Sequence, residues 1–207
     1  MSDMSISEEK KEIRKEIKRR RSQLDEEFLA RVDKELPEDI FSLDDDEFKE
    51  RLISSKRIAL YRATGGELPC DGLAKALMKK GKICCFPRVE GDDMVFCDCD
   101  DLSSKCFETG AFGILEPVSS LAAVDPASID IVVLPAVAYN EEGTRLGQGK
   151  GFYDRFYAGI KGRKPFLLGI CYDFQISSEI PVEEHDLTAD IVVAIPTAEE
   201  DDFEEDE

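Results

Sequence analysis

Between Ile131 and Tyr139 the chain runs almost without a polar side chain, Ile-Val-Val-Leu-Pro-Ala-Val-Ala-Tyr, which predicts a strand buried on both faces. Shorter apolar runs predict further strands at Arg57 to Tyr61, Lys82 to Phe86 (stopped by Pro87), Met94 to Cys97, Phe166 to Tyr172, and Ile191 to Ile195, ended by Pro196. Helical spacing alternates with them. Ser7 reads as an N-cap, with Glu8 and Glu9 in the first turn, and Ile6, Ile13, Ile17, Leu24 and Phe28 fall in one arc of a 3.6-residue wheel, so this helix is expected to continue past Phe28. Shorter helices are expected at Asp44 to Ile53, Leu68 to Lys80 and Phe152 to Gly159. Strands separated by helices predict an α/β fold: a single domain with a mostly parallel sheet and helices on both faces, three-layered and Rossmann-like. No internal repeat is visible, and Asp98 to Asp130 reads as a long loop with turns, of a length that tends to be functional.

A length of 207 residues suits one well-buried unit, expected over residues 1–198, followed by an acidic disordered tail at 199–207. The tail holds eight carboxylates in nine residues. With 46 acidic against 27 basic residues, the net charge of −19 argues against nucleic acid or an anionic membrane as partner. Lys10 to Arg21 runs the other way, with eight basic and two acidic residues. Lys10, Arg14, Lys18 and Arg21 lie along the edge of the apolar stripe, so packing that stripe would carry them against the body, unless the face is simply solvated. The seven cysteines include no C-x-x-C pair and several lie in apolar runs, which predicts reduced, mostly buried thiols. Cys97, Asp98, Cys99 and Cys106 lack the paired spacing of a zinc site. With no signal sequence and no apolar run of membrane-spanning length, a cytoplasmic chain is expected, acting as a monomer.

The chemistry concentrates after the longest apolar run. Residues 143 to 154 read Gly-Thr-Arg-Leu-Gly-Gln-Gly-Lys-Gly-Phe-Tyr-Asp. Alternating Gly147, Gly149 and Gly151 allow tight turns and close backbone approach, and the helix from Phe152 would turn its amino end toward a bound anion. Arg145 and Lys150 add positive charge. The pattern is neither a Walker loop, since no Ser or Thr follows Lys150, nor the dinucleotide fingerprint G-x-G-x-x-G. A generic glycine-rich turn is the alternative.

A single histidine, His185, and the absence of G-x-S-x-G and HExxH leave little room for acyl-enzyme or HExxH zinc hydrolysis. Phosphate binding by amides and cations remains well supplied, together with carboxylates that suit Mg²⁺. Asp154, in the first helical turn after the glycines, and Asp186, before the last strand, are the candidates. Helix-start stabilisation and an ordinary loop aspartate are their respective alternatives.

Taken together, these stretches resemble the 5-formyltetrahydrofolate cyclo-ligase family, also called methenyltetrahydrofolate synthetase. Leu134-Pro135, Gly143 and Arg145 to Arg155 are similar to the family's R-L-G-x-G-x-G-Y-Y-D block. Lys10 with Arg14, Glu67, Phe86-Pro87-Arg88, Phe112-Gly113-Ile114, Glu116-Pro117, Pro181 and Glu184-His185-Asp186 support it. The resemblance implies an ATP- and Mg²⁺-dependent closure of 5-formyltetrahydrofolate, mono- or polyglutamylated, to 5,10-methenyltetrahydrofolate, with release of ADP and phosphate. It further implies that Lys10, Arg14 and the loop Arg145, Leu146, Gly147, Gln148, Gly149, Lys150, Gly151, Phe152, Tyr153 bind ATP, with Arg145 and Lys150 acting in catalysis. Asp154 and Asp186 would hold Mg²⁺. Glu67, Phe152, Tyr153 and Arg62 would contact the folate. Phe152 stands where the family commonly has Tyr, and Arg62 stands where an apolar side chain often contacts substrate, so this cation alters the pocket and reaches toward the folate's glutamate tail. A catalytically silent module of the same fold and a nicotinamide-dependent oxidoreductase are the rival readings.

Overall fold

The computed structural model describes residues 5–110, 113–178, 180, 181, 183 and 186–197. The acidic tail expected at 199–207, together with Phe112, Glu184 and His185, lies outside the described residues.

Three helices open the chain: α1 (Ile6–Arg21), α2 (Glu26–Ser42) and α3 (Asp46–Ser54). The long first helix expected from the apolar stripe is in fact two. Ser5, not Ser7, caps α1, exchanging hydrogen bonds with Glu8 in a reciprocal capping box. The break comes at Asp25, whose carboxylate accepts the Phe28 N–H at 2.8 Å and starts α2 afresh. The stripe divides accordingly. Ile13 and Ile17 pack on Val137, Ala138 and Leu146, Leu24 and Phe28 join the main core, and Ile6 stays exposed.

Seven further elements complete the framework: β1 (Arg57–Ala59), α4 (Asp71–Lys79), β2 (Ile83–Glu90), β3 (Asp93–Cys99), β6 (Ile131–Leu134), β9 (Phe166–Tyr172) and β10 (Ile191–Ile195). The strands form one sheet in the order β10-β9-β6-β1-β2-β3, parallel throughout except for β3 against β2. Pro87, expected to stop a strand, lies inside β2. The Cys85 carbonyl accepts the Leu60 N–H, so backbone groups of alternate residues from Cys85 onward face the β1 side, and at Pro87 that side lies beyond the end of β1. No ladder bond is lost there.

The long apolar run is also divided. Pro135 ends β6, and the chain turns into a separate ribbon of β7 (Ala138–Tyr139) and β8 (Arg145–Leu146). The stretch expected to be irregular between Asp98 and Asp130 contains a small hairpin, β4 (Phe107–Thr109) with β5 (Leu115–Pro117). Strands of three residues are too short to leave a periodic signature.

Alternation along the strands builds two cores. Ile58, Cys84, Phe86, Ile131, Val133 and Leu168 face α2, α3 and α4. Ala59, Cys85, Val132, Leu134 and Leu167 face the opposite side, where Phe152, Phe156 and Tyr157 of α5 (Phe152–Gly159) pack. Full burial of each Val, Ile, Leu or Phe among them is worth about 1.5–3 kcal/mol. Gly169 in β9 makes room for one of the largest of them: a Cβ there would lie 2.8 Å from the ring of Tyr139, which has no exposed surface. Six of the seven cysteines are buried as free thiols and Cys106 is half-buried. Burial pushes the Cys84 and Cys171 thiols up to about 12, far from the reactive thiolate.

Among the described residues, no helix is long and apolar enough to cross a membrane. The strand order has one functional consequence. β1 sends its following strand to one side of the sheet, while β6 begins the march to the other, so their carboxyl ends flank a topological switch point, where open α/β sheets form crevices.

Candidate active site

A cavity of about 510 Å³ opens at that switch point. The segment after β1 supplies Tyr61, Arg62, Thr64 and Glu67, the turn after β6 supplies Pro135, Ala136 and Val137, and the glycine-rich loop closes the third side. Arg14, Lys18, Arg21, Arg62, Arg145 and Lys150 all contribute to the lining, against the carboxylates Glu67 and Glu116. A protein of net charge −19 thus concentrates positive charge around its main concavity. Such focusing attracts a small anionic ligand rather than a polyanion.

The loop is shaped by its glycines and tied down by arginines. Gly149 and Gly151 have φ of +92° and +68°, conformations that a side chain would strain. Gly151 begins α5 without any side-chain cap, so the first-turn amides have no side-chain partner there. Arg145 is only 6% exposed. Its Nε donates to the Pro135 carbonyl at 2.7 Å, its Nη1 lies 3.5 Å from both carboxylate oxygens of Asp154, and its guanidinium sits 5.2 Å from the centre of the Tyr153 ring. Gly147 is needed beside it, since a Cβ there would meet the guanidinium at 2.8 Å. From α1, Arg14 donates through Nε to the Gly147 carbonyl at 2.9 Å. The expected approach of the basic helix to the glycine loop is therefore present. Leu146 points into the core, and Gln148 and Lys150 are exposed at the rim.

Lys10 is 5% exposed and grips two carboxylates, Glu183 at 2.7 Å and Asp186 at 2.6 Å. Burial disfavours its ammonium, but hydrogen bonds to Asp186 and Glu183 outweigh that cost and raise its pKa above the usual lysine value. The two candidate metal carboxylates therefore each face a cation, Asp154 against Arg145 and Asp186 against Lys10. Among the described residues no group of three or more His, Cys, Asp or Glu side chains is gathered for a metal. Each carboxylate is singly the kind of hard oxygen donor Mg²⁺ takes, one or two of which are ordinarily completed by waters and phosphate oxygens.

Glu67 and Arg62 occupy the opposite wall. Glu67 accepts the Thr64 N–H at 3.2 Å and lies 3.9 Å from Arg21, with its pKa raised by burial despite the nearby guanidinium. Arg62 pairs with Asp71 at 3.3 Å, lies 4.7 Å over the Phe107 ring, and separates the main cavity from a neighbouring hollow of about 390 Å³. Phe152 and Tyr153 line the cavity floor, with Tyr153 edge-on to Phe96.

Two polar residues of this region escape sequence reading. Arg21 was expected only as one cation of a stripe edge, yet it is 5% exposed and hydrogen-bonds the Ala136 carbonyl. Its position four residues after buried Ile17 is the signal that marks it. Gln175, with no exposed surface, donates to the Ala136 and Val137 carbonyls and fixes the turn after β6. A lone glutamine in a loop carries no such signal.

The sequence matches the profile of the 5-formyltetrahydrofolate cyclo-ligase family over residues 6–195. It is 27% identical over 203 residues to the mouse 5-formyltetrahydrofolate cyclo-ligase, covering 93% of this chain and 97% of the mouse protein. Over 146 residues it is 30% identical to the Escherichia coli K12 protein of the same name, covering 69% of this chain and 79% of that one. The fold superposes on the NMR structure of Aquifex aeolicus 5,10-methenyltetrahydrofolate synthetase with a TM-score of 0.73 and 34% identity, covering 89% of each chain.

Proposed function

The chain belongs to the 5-formyltetrahydrofolate cyclo-ligase family, a family of enzymes, and from that premise we propose that it uses Mg-ATP to close 5-formyltetrahydrofolate to 5,10-methenyltetrahydrofolate in the cytoplasm. The observation that carries this reading is the convergence of the uncapped glycine loop, Arg14, Arg145 and the Glu67 wall on one cavity at the switch point.

In this reading the formyl oxygen attacks the γ-phosphorus of ATP and ADP leaves. Nitrogen 10 of the folate then attacks the formyl carbon of the activated imidate, forming the ring C–N bond and giving up its proton, and phosphate departs with the former formyl oxygen. No protein nucleophile is required. The chain's contribution is to hold two reactants in line and to neutralise charge. Loop amides at Gly147 to Gly151, with Arg14, Arg145 and Lys150, face the phosphates, and Lys10 joins them by releasing a carboxylate. Arg145 and Lys150 meet the charge that develops at the transferred phosphoryl group. Asp154 and Asp186 would hold Mg²⁺, which when bound offsets phosphate charge. Glu67 accepts hydrogen bonds from the pterin ring, Phe152 and Tyr153 give it an apolar floor, and Arg62 faces the glutamate tail.

The test is the absorbance of the methenyl product from 5-formyltetrahydrofolate. Product is expected only when ATP and a divalent cation are both supplied. Equal turnover without ATP refutes the ligase reading, and no turnover under any condition favours a silent binding module.

Arg14 and Arg20 separate the role of α1 from mere surface charge. Arg14 reaches the glycine loop, whereas Arg20 lies over the Phe174 ring at 4.3 Å. Arg14→Ala is expected to raise the KM for ATP about tenfold or more, the scale of a hydrogen bond involving a charged group, and Arg20→Ala less than about twofold. Indistinguishable kinetics would return the basic face to simple solvation.

A further inference from the structure

Of the cations that line the cavity, Arg21 is buried deepest, and like Arg62 it keeps a buried guanidinium nitrogen without a hydrogen-bond partner. It stands at the last residue of α1, with 5% of its surface exposed. One terminal nitrogen bonds the Ala136 carbonyl, the other lies 3.9 Å from Glu67, and Nε has no hydrogen-bond partner at all. A guanidinium is costly to bury with an empty donor. Its surroundings are built for it nonetheless. The Ala136 carbonyl is fixed by Gln175, and the turn that carries Glu67 sits directly on the end of α1, where a Cβ at Gly66 would come within 2.8 Å of the Arg21 carbonyl. That turn takes a φ of +74° at Gly66 and so packs closely on the backbone at the end of α1, which sets Glu67 beside the Arg21 side chain.

Glu67 itself has two neutral neighbours that favour its carboxylate, the Thr64 amide and the Gln148 side chain. Its Oε2 accepts the Thr64 amide, while Oε1 faces Arg21 across 3.9 Å, too far for a direct hydrogen bond. The carboxylate is therefore aligned and charge-compensated without being saturated, and it retains acceptor capacity toward the cavity.

We propose that Arg21 is a positioning residue that keeps Glu67 an ionised, cavity-facing acceptor, selecting a substrate ring that presents N–H donors to a carboxylate. This rests on the folate-pocket reading above. The groups that face Glu67 are Arg21 from α1, Arg145 from β8, Gln148 from the glycine loop, and the phenols Tyr61, Tyr153 and Tyr172. Burial raises the Glu67 pKa, and Arg21 is the largest influence opposing it. Removing Arg21 leaves burial less opposed, so Glu67 takes up its proton at higher pH and ceases to accept two donors.

The experiment measures 5-formyltetrahydrofolate binding by calorimetry from pH 6 to 9 for the unmodified protein, R21Q, R21K, E67Q and the R21Q/E67Q double variant, with thermal melts to establish folding. R21Q is expected to bind more weakly toward pH 6, by at most about tenfold for one unit of pKa displacement, and to recover as pH rises. R21K, which keeps the charge, should fall between R21Q and the unmodified protein. E67Q should weaken binding with no recovery at high pH, and R21Q should add little to it. A folded R21Q whose weakness is the same at every pH, or whose loss multiplies that of E67Q, overturns the proposal alone. Should R21Q fail to fold, R21K with a pH profile identical to the unmodified protein's does the same. If E67Q binds folate normally, the folate-pocket reading falls and this proposal with it.

Discussion

Arg145→Ala is expected to lower kcat by about 10²–10³, the cost of deleting one preorganised charged donor from an active site. The expectation follows from how many groups this one side chain organises. Its Nε ties the glycine loop to the Pro135 carbonyl at the end of β6, its Nη1 faces Asp154, and its flat guanidinium lies over Tyr153. Substitution would slacken the loop, remove positive charge from the transferred phosphoryl group and leave Asp154 without its cation. Arg145→Lys keeps charge but not the planar fork, and should recover only part of the rate. Stability must be followed alongside, because breaking a largely buried ion pair costs about 3–5 kcal/mol. A folded Arg145→Ala enzyme with unchanged kcat and only a lowered melting temperature would make Arg145 a structural residue and leave phosphoryl stabilisation to Lys150.

How far such a residue can be read without coordinates depends on the range of the interactions that place it. The strand Phe166 to Tyr172 and the helix Phe152 to Gly159 were legible because burial on both faces, or a glycine stop before a helix, writes itself into adjacent residues, and Ile191 to Ile195 because a short apolar run is closed by Pro196. The glycine loop and Arg145 were legible for the same reason. Events that depend on one side chain finding a distant partner were not. Asp25 ends the first helix by taking a single amide, and Pro87 is tolerated in β2 only because β1 stops short. Arg21 was legible as a cation on the edge of the packed stripe, four residues after Ile17, but its partner was not, because nothing local names the Ala136 carbonyl, 115 positions away. Lys10 was legible as a cation on the edge of the packed stripe, while its grip on Glu183 and Asp186, 173 and 176 residues distant, was not.

That grip bears on the last expectation. Asp154→Asn and Asp186→Asn should each raise the Mg²⁺ needed for half-maximal rate by about tenfold or more, roughly 1.4 kcal/mol of lost metal affinity, while folate binding stays nearly intact. Both carboxylates already have a cation opposite them, so a purely structural account exists: Asp154 would steady Arg145 and the start of α5, and Asp186 would neutralise buried Lys10. The two accounts diverge in coupling. If both carboxylates serve one Mg²⁺ against the ATP phosphates, the double variant loses far less than the product of the single losses, because a site broken once has less left to lose. If they serve separate ion pairs, the variants lower the melting temperature independently and leave the Mg²⁺ dependence alone. Calorimetric titration of Mg-ATP into the two single variants and the double variant gives a readout apart from turnover, and additive, magnesium-insensitive effects would rule out a shared site.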